Sequence, residues 1–444
     1  MTTSISTASF TPRQRAWFDE ACALIAPGRL TDLVVGMVDI PSPTGEEAAL
    51  ARWLTATLDE AGLDARVQEI DDRQANAIGR VRGDGSGEDL LLYAPIDTLT
   101  VGDPDEDVPW IGPELRADMR PRAEVHDDHV VGLGASNPKG HAAAVVAAAE
   151  VIARAGIPLR GDLIVGLGAG GMPTNGRIVG ALSRRNTGQG AGCSFMVEQG
   201  VWADHALIAK PGWAVAWEEV GLCWFEVRVR GTYTYVGSRH RMPYRNSIAA
   251  AATVITELER WFPEYSARHT DGLVAPQGIV ASVEGGWPRM AAVAPALCRF
   301  TIDLRTSPRS TPAHVRREFA QAIRSISTKH PDIDVDWDMI LSIPGTETAQ
   351  EAPVVVAAVA AWEEVAGHTH EPILANSGAT DANILRNRGI PTARIGMDRI
   401  GPDAPLALDF PSGMNVVDIR EAMRLTKALV HTVITLCTRE RSTP

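Results

Sequence analysis

Cysteine is scarce in this sequence, with five residues among 444, and no two of them have CxxC spacing. An odd number of scattered cysteines argues against a disulfide framework, so we expect reduced residues buried in a core. Long apolar runs are also missing. No segment approaches the ~18 uninterrupted apolar residues of a membrane span, and the N-terminal stretch MTTSISTASFTPRQRAWF has no apolar core of the signal-peptide type. These absences predict a cytoplasmic globular protein with no membrane partner.

Positive charge is in deficit, because 42 Lys and Arg face 55 Asp and Glu and leave a formal net charge of -13. A charge of this sign repels both phosphate backbones and anionic lipid headgroups. We therefore expect no nucleic-acid partner. A small-molecule substrate is the expected ligand.

The length exceeds what one ordinary core needs, and 444 residues predict two or three domains. From Thr11 to about Gly212, helical and strand patterns alternate as they do in a sheet covered by helices. A strand candidate at 89–97 ends in Asp97, and an Ala-rich helix is predicted at 140–156. The Gly-rich segment between GDLIVGLGA and HALIAKP is predicted to be a loop.

The pattern changes after Pro211. The run CWFEVRVRG alternates apolar and charged residues, as a strand with one solvated face does, and the elements that follow are ordered β-α-β-β-α-β. Alternation of helix and strand resumes after Pro344. We predict an α/β protein whose helix-covered mixed sheet is built from residues 1–212 and 341–444, with a ferredoxin-like domain inserted at 213–340.

Several short motifs occur in a specific order: PIDTLTVGD, GLGASNPKG, GDLIVGLGAGG, RGTYTY followed by NSIAAA, FTIDLRT, and SGATDANIL followed by GIPTARIG. In this order and layout the chain resembles, over nearly its whole length, the dinuclear zinc exopeptidase and deacylase family. That family includes acetylornithine deacetylase, succinyl-diaminopimelate desuccinylase, aminoacylase and glutamate carboxypeptidase. The resemblance implies a zinc-binding α/β domain, an inserted lid that often dimerises, and hydrolysis of an amide bond next to a carboxylate. A homodimer through the lid is the expected assembly.

The resemblance fails at the metal site. Where the family has His-x-Asp, this chain has Pro95 followed by Asp97. The remaining metal-site positions, including the bridging aspartate, the Asp-Glu-Glu triplet, the acidic ligand before a proline and the last histidine, fall on Asn137, Gly170, Gly171, Met172, Lys210 and Leu408.

These replacements do not suit a dinuclear zinc centre. Zinc requires N, S or O ligands, and a hydrolytic zinc site also needs a positioned base. Pro95 and Gly171 offer no donor, and an ammonium at Lys210 repels a cation. We predict no metal and no cofactor. Because the lysine arrives where carboxylates are lost, Asp97 and Lys210 are expected to neutralise each other in a rebuilt pocket.

Three residues are the catalytic candidates. Asp97 is either a general base or the anchor of a salt bridge, and Lys210 is either an electrostatic substitute for the metal or only the structural partner of Asp97. The family's oxyanion-stabilising lid histidine falls on Tyr235, whose phenol can still donate a hydrogen bond.

The candidates for substrate binding lie in three regions. By the resemblance, the loop at 376–382 contacts the substrate carboxylate through backbone groups at the start of a helix. The full set of binding candidates is Asn137, Lys139, His240, Arg289, Ser377, Gly378 and Thr380.

The leading hypothesis is a metal-independent enzyme that cleaves or rearranges an amide-type C–N bond in a small carboxylate-bearing molecule. One alternative is a catalytically silent ligand-binding protein. Others are a lyase or isomerase that uses a lysine as base or Schiff-base nucleophile, and an enzyme that holds a metal through new ligands.

Overall fold

The computed structural model describes residues 10–174, 188–400 and 413–441. The chain divides into two compact units, which differ from the predicted domains by a few residues at each boundary. The catalytic-type unit runs up to Trp217 and continues over Thr348–Ile373 and from Thr380 onward. The inserted unit comprises Glu218–Glu347 together with Leu374–Ala379, a short segment that the sequence placed in the other domain.

The first part of the catalytic-type unit alternates helices and strands. Its helices are α1 Pro12–Ala23, α2 Pro27–Val38, α3 Ala48–Glu60, α4 Pro104–Asp107, α5 Lys139–Arg154 and α6 Ala191–Glu198. Its strands are β1 Arg66–Glu69, β2 Ala75–Val81, β3 Leu90–Pro95, β4 Glu124–His126, β5 His129–Val131, β6 Leu163–Gly168 and β7 His205–Ala209. Helix α6 lies in the segment predicted to be a loop, so that prediction was wrong.

The inserted unit follows. Its elements are β8 Glu218–Glu219, β9 Gly221–Arg230, β10 Thr234–Tyr235, α7 Ser247–His269, β11 Gly278–Gly285, β12 Val293–Ala294, β13 Leu297–Thr306, α8 Pro312–Lys329, β14 Asp334–Ile343 and β15 Thr346–Glu347. The long elements are ordered β-α-β-β-α-β along the chain, and their four strands form an antiparallel sheet ordered β11-β13-β9-β14.

The rest of the chain returns to the first unit. Its elements are α9 Pro353–Ala366, α10 Ala382–Asn387, β16 Thr392–Ile395, β17 Val416–Asp418 and α11 Ile419–Cys437. The fold is thus a mixed α/β fold, as predicted. The main sheet has the order β1-β2-β6-β3-β7-β16, and β6, β3, β7 and β16 run parallel to one another.

Local sequence signals explain the starts of several helices. The side chain of Asn246 accepts a hydrogen bond from Ile248 N at the start of α7, and Thr311 accepts one from His314 N at the start of α8. Each of these side chains satisfies a backbone N–H that has no partner inside the helix.

The core of the catalytic-type unit lies around strand β3 and helix α5. Every residue of β3 is buried, and 14 of the 16 residues of α5 are buried. Small alanine side chains let this helix approach the sheet closely. All five cysteines are free, and four of them are buried. In the described part of the chain no single helix is long and apolar enough to cross a membrane; α1 and α2 meet those criteria only together, across a 63° bend.

Candidate active site

The candidate site lies at the carboxyl ends of three neighbouring parallel strands of the catalytic-type unit. Asp97 follows β3 by two residues, residues 170–172 follow β6, and Lys210 directly follows β7. Because β6, β3 and β7 are adjacent in the sheet, their ends bring these residues together. The carboxyl edge of such a sheet is where α/β proteins place their ligands.

Asp97 is completely buried and is held by three hydrogen-bond donors. Its Oδ1 accepts from the backbone N–H of Gly171 at 2.8 Å, and its Oδ2 accepts from Met172 N at 2.9 Å and from the Thr44 hydroxyl at 2.7 Å. Burial raises the pKa of this carboxyl, while the three donors and the charge of Lys210 oppose that rise. The carboxylate therefore fixes the loop after β6.

Lys210 is buried and directs its ammonium toward Asn137, where Nζ donates to Oδ1 at 3.3 Å. The positive charge of Lys210 lowers the pKa of Asp97, although the described residues show no ion pair between the two side chains. Mutual neutralisation of Asp97 and Lys210 stays a prediction. The hydrogen-bond partners of Asp97 are two backbone amides and a hydroxyl, which the sequence pattern could not reveal.

Pro95 and Gly171 pack against each other, and the proline at 95 accounts for the glycine at 171. A Cβ atom at position 171 would lie 2.5 Å from Cβ of Pro95 and 3.1 Å from Oδ2 of Asp381. Such distances exclude an unshifted side chain at 171 while proline occupies 95. Two positions that lack a donor for a metal are thus parts of one packed contact.

A buried carboxyl outside the predicted set of site residues also belongs to this site. Glu47 precedes α3 and is completely buried, and its Oε1 accepts from Gly45 N and Gly170 N, both at 2.9 Å. Burial, together with the charge of Asp97, raises the pKa of Glu47 to about 8. The run TGEEAA carries no signal that separates this residue from the exposed Glu46.

Lys139 and the neighbouring His141 are both buried in helix α5. The ammonium of Lys139 donates to the carbonyl of Ile40 at 3.0 Å, and burial lowers its pKa to about 7. In His141, Nδ1 lies 2.7 Å from the Ser136 carbonyl and Nε2 accepts from Met397 N at 3.2 Å. Burial lowers the pKa of this imidazole to about 3, so it is a neutral structural residue.

Tyr93 and Asp381 form a buried pair that sequence reasoning missed. The Tyr93 hydroxyl donates to Oδ2 of Asp381 at 2.6 Å, and burial raises the pKa of the phenol. Tyr93 lies within β3, and Asp381 directly precedes the six-residue helix α10. The contact ties the start of α10 to the central strand.

The loop at 376–382 is divided between the two units at Ala379. In the inserted unit, the Ser377 carbonyl accepts from Arg305, and Gly378 N donates to the Asn376 side chain at 2.9 Å. In the other unit, the Thr380 hydroxyl accepts from Ala382 N at 3.2 Å. The assignment of Ser377, Gly378 and Thr380 to a substrate carboxylate stays a prediction.

The remaining three candidates lie on the surface of the inserted unit. Tyr235 ends β10 and is 57% exposed, and His240 Nε2 accepts a hydrogen bond from the Arg241 guanidinium at 2.9 Å. Arg289 is exposed in the turn between β11 and β12. Their roles stay predictions.

Residues 91–432 of the chain match the model of peptidase family M20/M25/M40. The chain belongs to this peptidase family. It is 23% identical, over 431 residues, to N-formyl-4-amino-5-aminomethyl-2-methylpyrimidine deformylase of Bacillus subtilis, a match that covers 90% of this chain and 92% of the relative. The resemblance seen in the sequence motifs is confirmed.

Solved structures of the peptidase family have the same fold. Human carnosine dipeptidase 1 superposes with a TM-score of 0.69 at 13% identity, covering 98% of this chain and 100% of that one. Dipeptidase Dug1p of Saccharomyces cerevisiae also gives 0.69, at 11% identity, with 96% and 99% covered. The scaffold is therefore that of the family's peptidases and amidohydrolases.

The residues at the family's metal positions do not fit a dinuclear zinc centre. A side chain at 171 would collide with Pro95, Lys210 brings a positive charge, and three hydrogen-bond donors already bind the oxygens of Asp97. Zinc needs several deprotonated donors within bonding distance. In residues 10–174, 188–400 and 413–441, no group of three or more His, Cys, Asp and Glu side chains is arranged to hold a metal. Leu408, aligned with the last histidine, lies outside the described residues.

Proposed function

We propose that this chain is a metal-independent enzyme on the scaffold of the peptidase family. It cleaves, or rearranges, an amide-type C–N bond in a small carboxylate-bearing molecule. The observation that carries the proposal is the matched nature of the replacements at the sheet edge. Pro95 packs on Gly171, and the Lys210 ammonium, which contacts Asn137, lowers the pKa of the buried Asp97 carboxylate through its charge.

Lys210 replaces the metal's positive charge in this proposal. A buried ammonium stabilises the negative charge that develops on a carbonyl oxygen far more strongly than it would in water. Asn137 orients Nζ from one side through the 3.3 Å hydrogen bond.

Asp97 is the proposed general base. A carboxylate has about four acceptor positions, and the structure fills three of them with Gly171, Met172 and Thr44. The remaining position can accept the proton of a water molecule that attacks the carbonyl carbon. The water oxygen bonds to that carbon, the C–N bond breaks, and the nitrogen takes the proton that Asp97 accepted, which leaves an acid and an amine and restores the Asp97 carboxylate.

Tyr235 is the proposed second donor to the oxyanion. Its exposed phenol makes no hydrogen bond to a residue in the described part of the chain, so its hydroxyl is available to a ligand. Lys139, Asn137, His240, Arg289, Ser377, Gly378 and Thr380 remain the proposed contacts of the substrate's carboxylate and polar groups.

The relatives support C–N chemistry. The curated relative is a deformylase of an N-formyl aminopyrimidine, and the structural neighbours include dipeptidases. Removal of a formyl group and cleavage of a dipeptide both break an amide C–N bond. Small N-formyl, N-acyl and N-carbamoyl amino acids and N-formyl aminopyrimidines are therefore the first compounds to test.

The test is a turnover assay by mass spectrometry on that panel, with protein purified in the presence of a chelator. We expect turnover by the wild type, and a loss of about 10²-fold or more in kcat for Lys210→Met and for Asp97→Asn. Lys329→Met, which removes an exposed lysine of the inserted unit, is the matched control and keeps full activity. If both site variants retain wild-type kcat on an identified substrate, the proposed roles are wrong.

Two alternatives have support in particular observations. The three donors on Asp97 also suit a catalytically silent binding protein, for which binding of a compound without turnover would be the result. A buried lysine also suits a lyase or isomerase that forms a Schiff base. Borohydride trapping of a carbonyl substrate on Lys210, read by peptide mass, would identify that class.

We also propose that the protein is a cytoplasmic homodimer through the inserted unit. Large apolar side chains lie exposed there, among them Tyr233, Val283 and Trp287, beside a groove of about 370 Å³. Exposed apolar surface of this kind marks interfaces. We expect analytical ultracentrifugation to give a dimer for the wild type and for Trp202→Arg, a control in the catalytic-type unit, and a monomer for Val283→Glu with Trp287→Arg.

A further inference from the structure

A buried carboxyl, Glu47, lies at the start of helix α3. It forms no ion pair with any residue in the part of the chain that the structure describes, and its side chain is completely enclosed. Its Oε1 accepts from Gly45 N and Gly170 N at 2.9 Å and from the Gln74 amide at 3.4 Å. Its Oε2 has no hydrogen-bond partner among the described residues. All three hydrogen-bond donors therefore bind the same oxygen of Glu47, Oε1.

Gln74 has the complementary deficiency. Its side chain is also completely buried, its Nε2 donates to Glu47 Oε1, and its Oε1 has no hydrogen-bond partner within the described residues. Two adjoining buried side chains thus each leave one acceptor oxygen unsatisfied, and a buried acceptor without a donor destabilises the folded state. One proton shared between these oxygens would satisfy both.

The loop after β6 connects this pair to Asp97. Three successive backbone N–H groups divide between the two acids: Gly170 N donates to Glu47, and Gly171 N and Met172 N donate to Asp97. If Glu47 lost its proton, its negative charge would therefore lie close to the negative charge of Asp97. Burial and the charge of Asp97 both raise the pKa of Glu47.

The other charged groups near Glu47 are engaged elsewhere. Arg73 pairs with the exposed Glu46 at 3.3 Å, and Asp71 accepts from Gln74 N at 2.9 Å. Lys210 acts on Asp97 and contacts Asn137. Asp97 is the charged side chain that most strongly affects Glu47.

We propose that Glu47 is a neutral carboxylic acid that donates its Oε2 proton to Oε1 of Gln74, closing a two-hydrogen-bond ring between an acid and an amide. In this state it is a positioning residue. It holds the Gly170 amide, and with it the loop whose next two amides bind Asp97, and it adds no second negative charge beside that carboxylate. Loss of the proton leaves two negative carboxylates, Glu47 and Asp97, bound to successive amides of the same loop, and their repulsion displaces Asp97. The inference about the proton stands without the proposed function; its effect on turnover rests on that function.

Infrared difference spectroscopy tests the proton directly. In the spectrum of wild type minus Glu47→Gln near neutral pH, we expect the C=O band of a protonated carboxylic acid, which disappears in alkaline buffer. Gln74→Leu removes the acceptor, and the band should move to the higher frequency of an acid without a hydrogen bond. If Glu47→Gln does not fold, this movement identifies the band. A carboxylate band at neutral pH, or an acid band unaffected by Gln74→Leu, would overturn the proposal.

A pH profile separates positioning from simple packing. Glu47→Gln keeps the shape and the ring but has no proton to lose, so it should retain kcat within about 3-fold at neutral pH and lose the alkaline decline of the wild type. Glu47→Ala should lose kcat at every pH. An identical alkaline decline in wild type and Glu47→Gln would contradict the positioning role. Absence of turnover in all proteins would count against the proposed function alone, because the infrared experiment would still decide the protonation of Glu47.

Discussion

The contact between Pro95 and Gly171 gives the most specific prediction about the rebuilt sheet edge. The substitution Gly171→Ala places a Cβ 2.5 Å from Cβ of Pro95, well inside van der Waals contact, and both residues sit at the ends of buried strands. Overpacking of this kind costs about 1–3 kcal/mol in the free energy of unfolding. Gly171 is not among the residues with positive φ, so alanine adds no backbone strain, and the cost measures the contact.

A double-mutant cycle isolates that contact. Pro95→Gly removes the opposing Cβ at its own cost of about 1 kcal/mol through the unfolded chain. In the double variant the new alanine has space, so we expect a coupling of at least about 1 kcal/mol between the two substitutions. Urea denaturation, followed by circular dichroism and by tryptophan fluorescence, measures the four free energies.

The matched control is Gly28→Ala in helix α2. A Cβ there would meet no atom within 4 Å, so the same substitution should raise stability by about 0.5–1 kcal/mol through helix propensity. If Gly171→Ala behaves like Gly28→Ala, or if the effects at 95 and 171 simply add, the two residues do not form one packed unit. The residues at 95 and 171 would then be independent replacements.

Three further predictions concern individual side chains. The pKa of Glu47 is raised from the usual 4.5 to about 8, so the folded state keeps a proton that the unfolded state loses over this range. The free energy of unfolding should therefore fall by about 5 kcal/mol as the pH rises from 4.5 through 8. Urea titrations of Glu47→Gln should lack this pH dependence. A slope shared by both proteins would show that another group is responsible. Tyr93→Phe removes the donor to the buried Asp381 and should lower the unfolding free energy by about 1–3 kcal/mol, whereas Tyr235→Phe at an exposed position should change it by less than about 0.5 kcal/mol; equal effects would contradict the buried contact. The pKa of Lys139 is lowered from 10.5 to about 7, so its buried charge destabilises the folded state most at pH values below 7. Lys139→Met should be more stable than wild type at acidic pH, and the difference should shrink as the pH approaches 10.5. A stability difference that does not depend on pH would contradict this prediction.

Local patterns in the sequence predicted most elements of the fold. The caps at Asn246 and Thr311 lie where polar side chains precede apolar periodicity, and each satisfies a backbone N–H close by in the chain. Helix α6 escaped prediction because glycine dominates the segment before it, while the helix itself is fixed by burial of Cys193, Met196 and Val197. Burial of that kind depends on tertiary packing, which overrides local propensity.

In the candidate site too, some residues were predicted from the sequence and others were not. Asp97 was predicted from its place after a buried strand and Lys210 from the family resemblance, and both are buried at the sheet edge. Their partners could not be predicted, since Gly171 N and Met172 N are backbone groups that every residue type except proline provides. Glu47 was missed because its role follows from long-range contacts with Gln74 and Gly170, and neither is visible in the sequence around it.

In the proposed mechanism Lys210 supplies the positive charge at a position where the family has a metal ligand. The most direct test is the rate at which chelator-treated protein, verified by elemental analysis to be free of metal, hydrolyses a small N-formyl or N-acyl substrate, with and without added Zn²⁺. We predict the same kcat in both samples, and its loss in Lys210→Met. Turnover that appears only after Zn²⁺ is added, in proportion to the bound metal, would contradict the account.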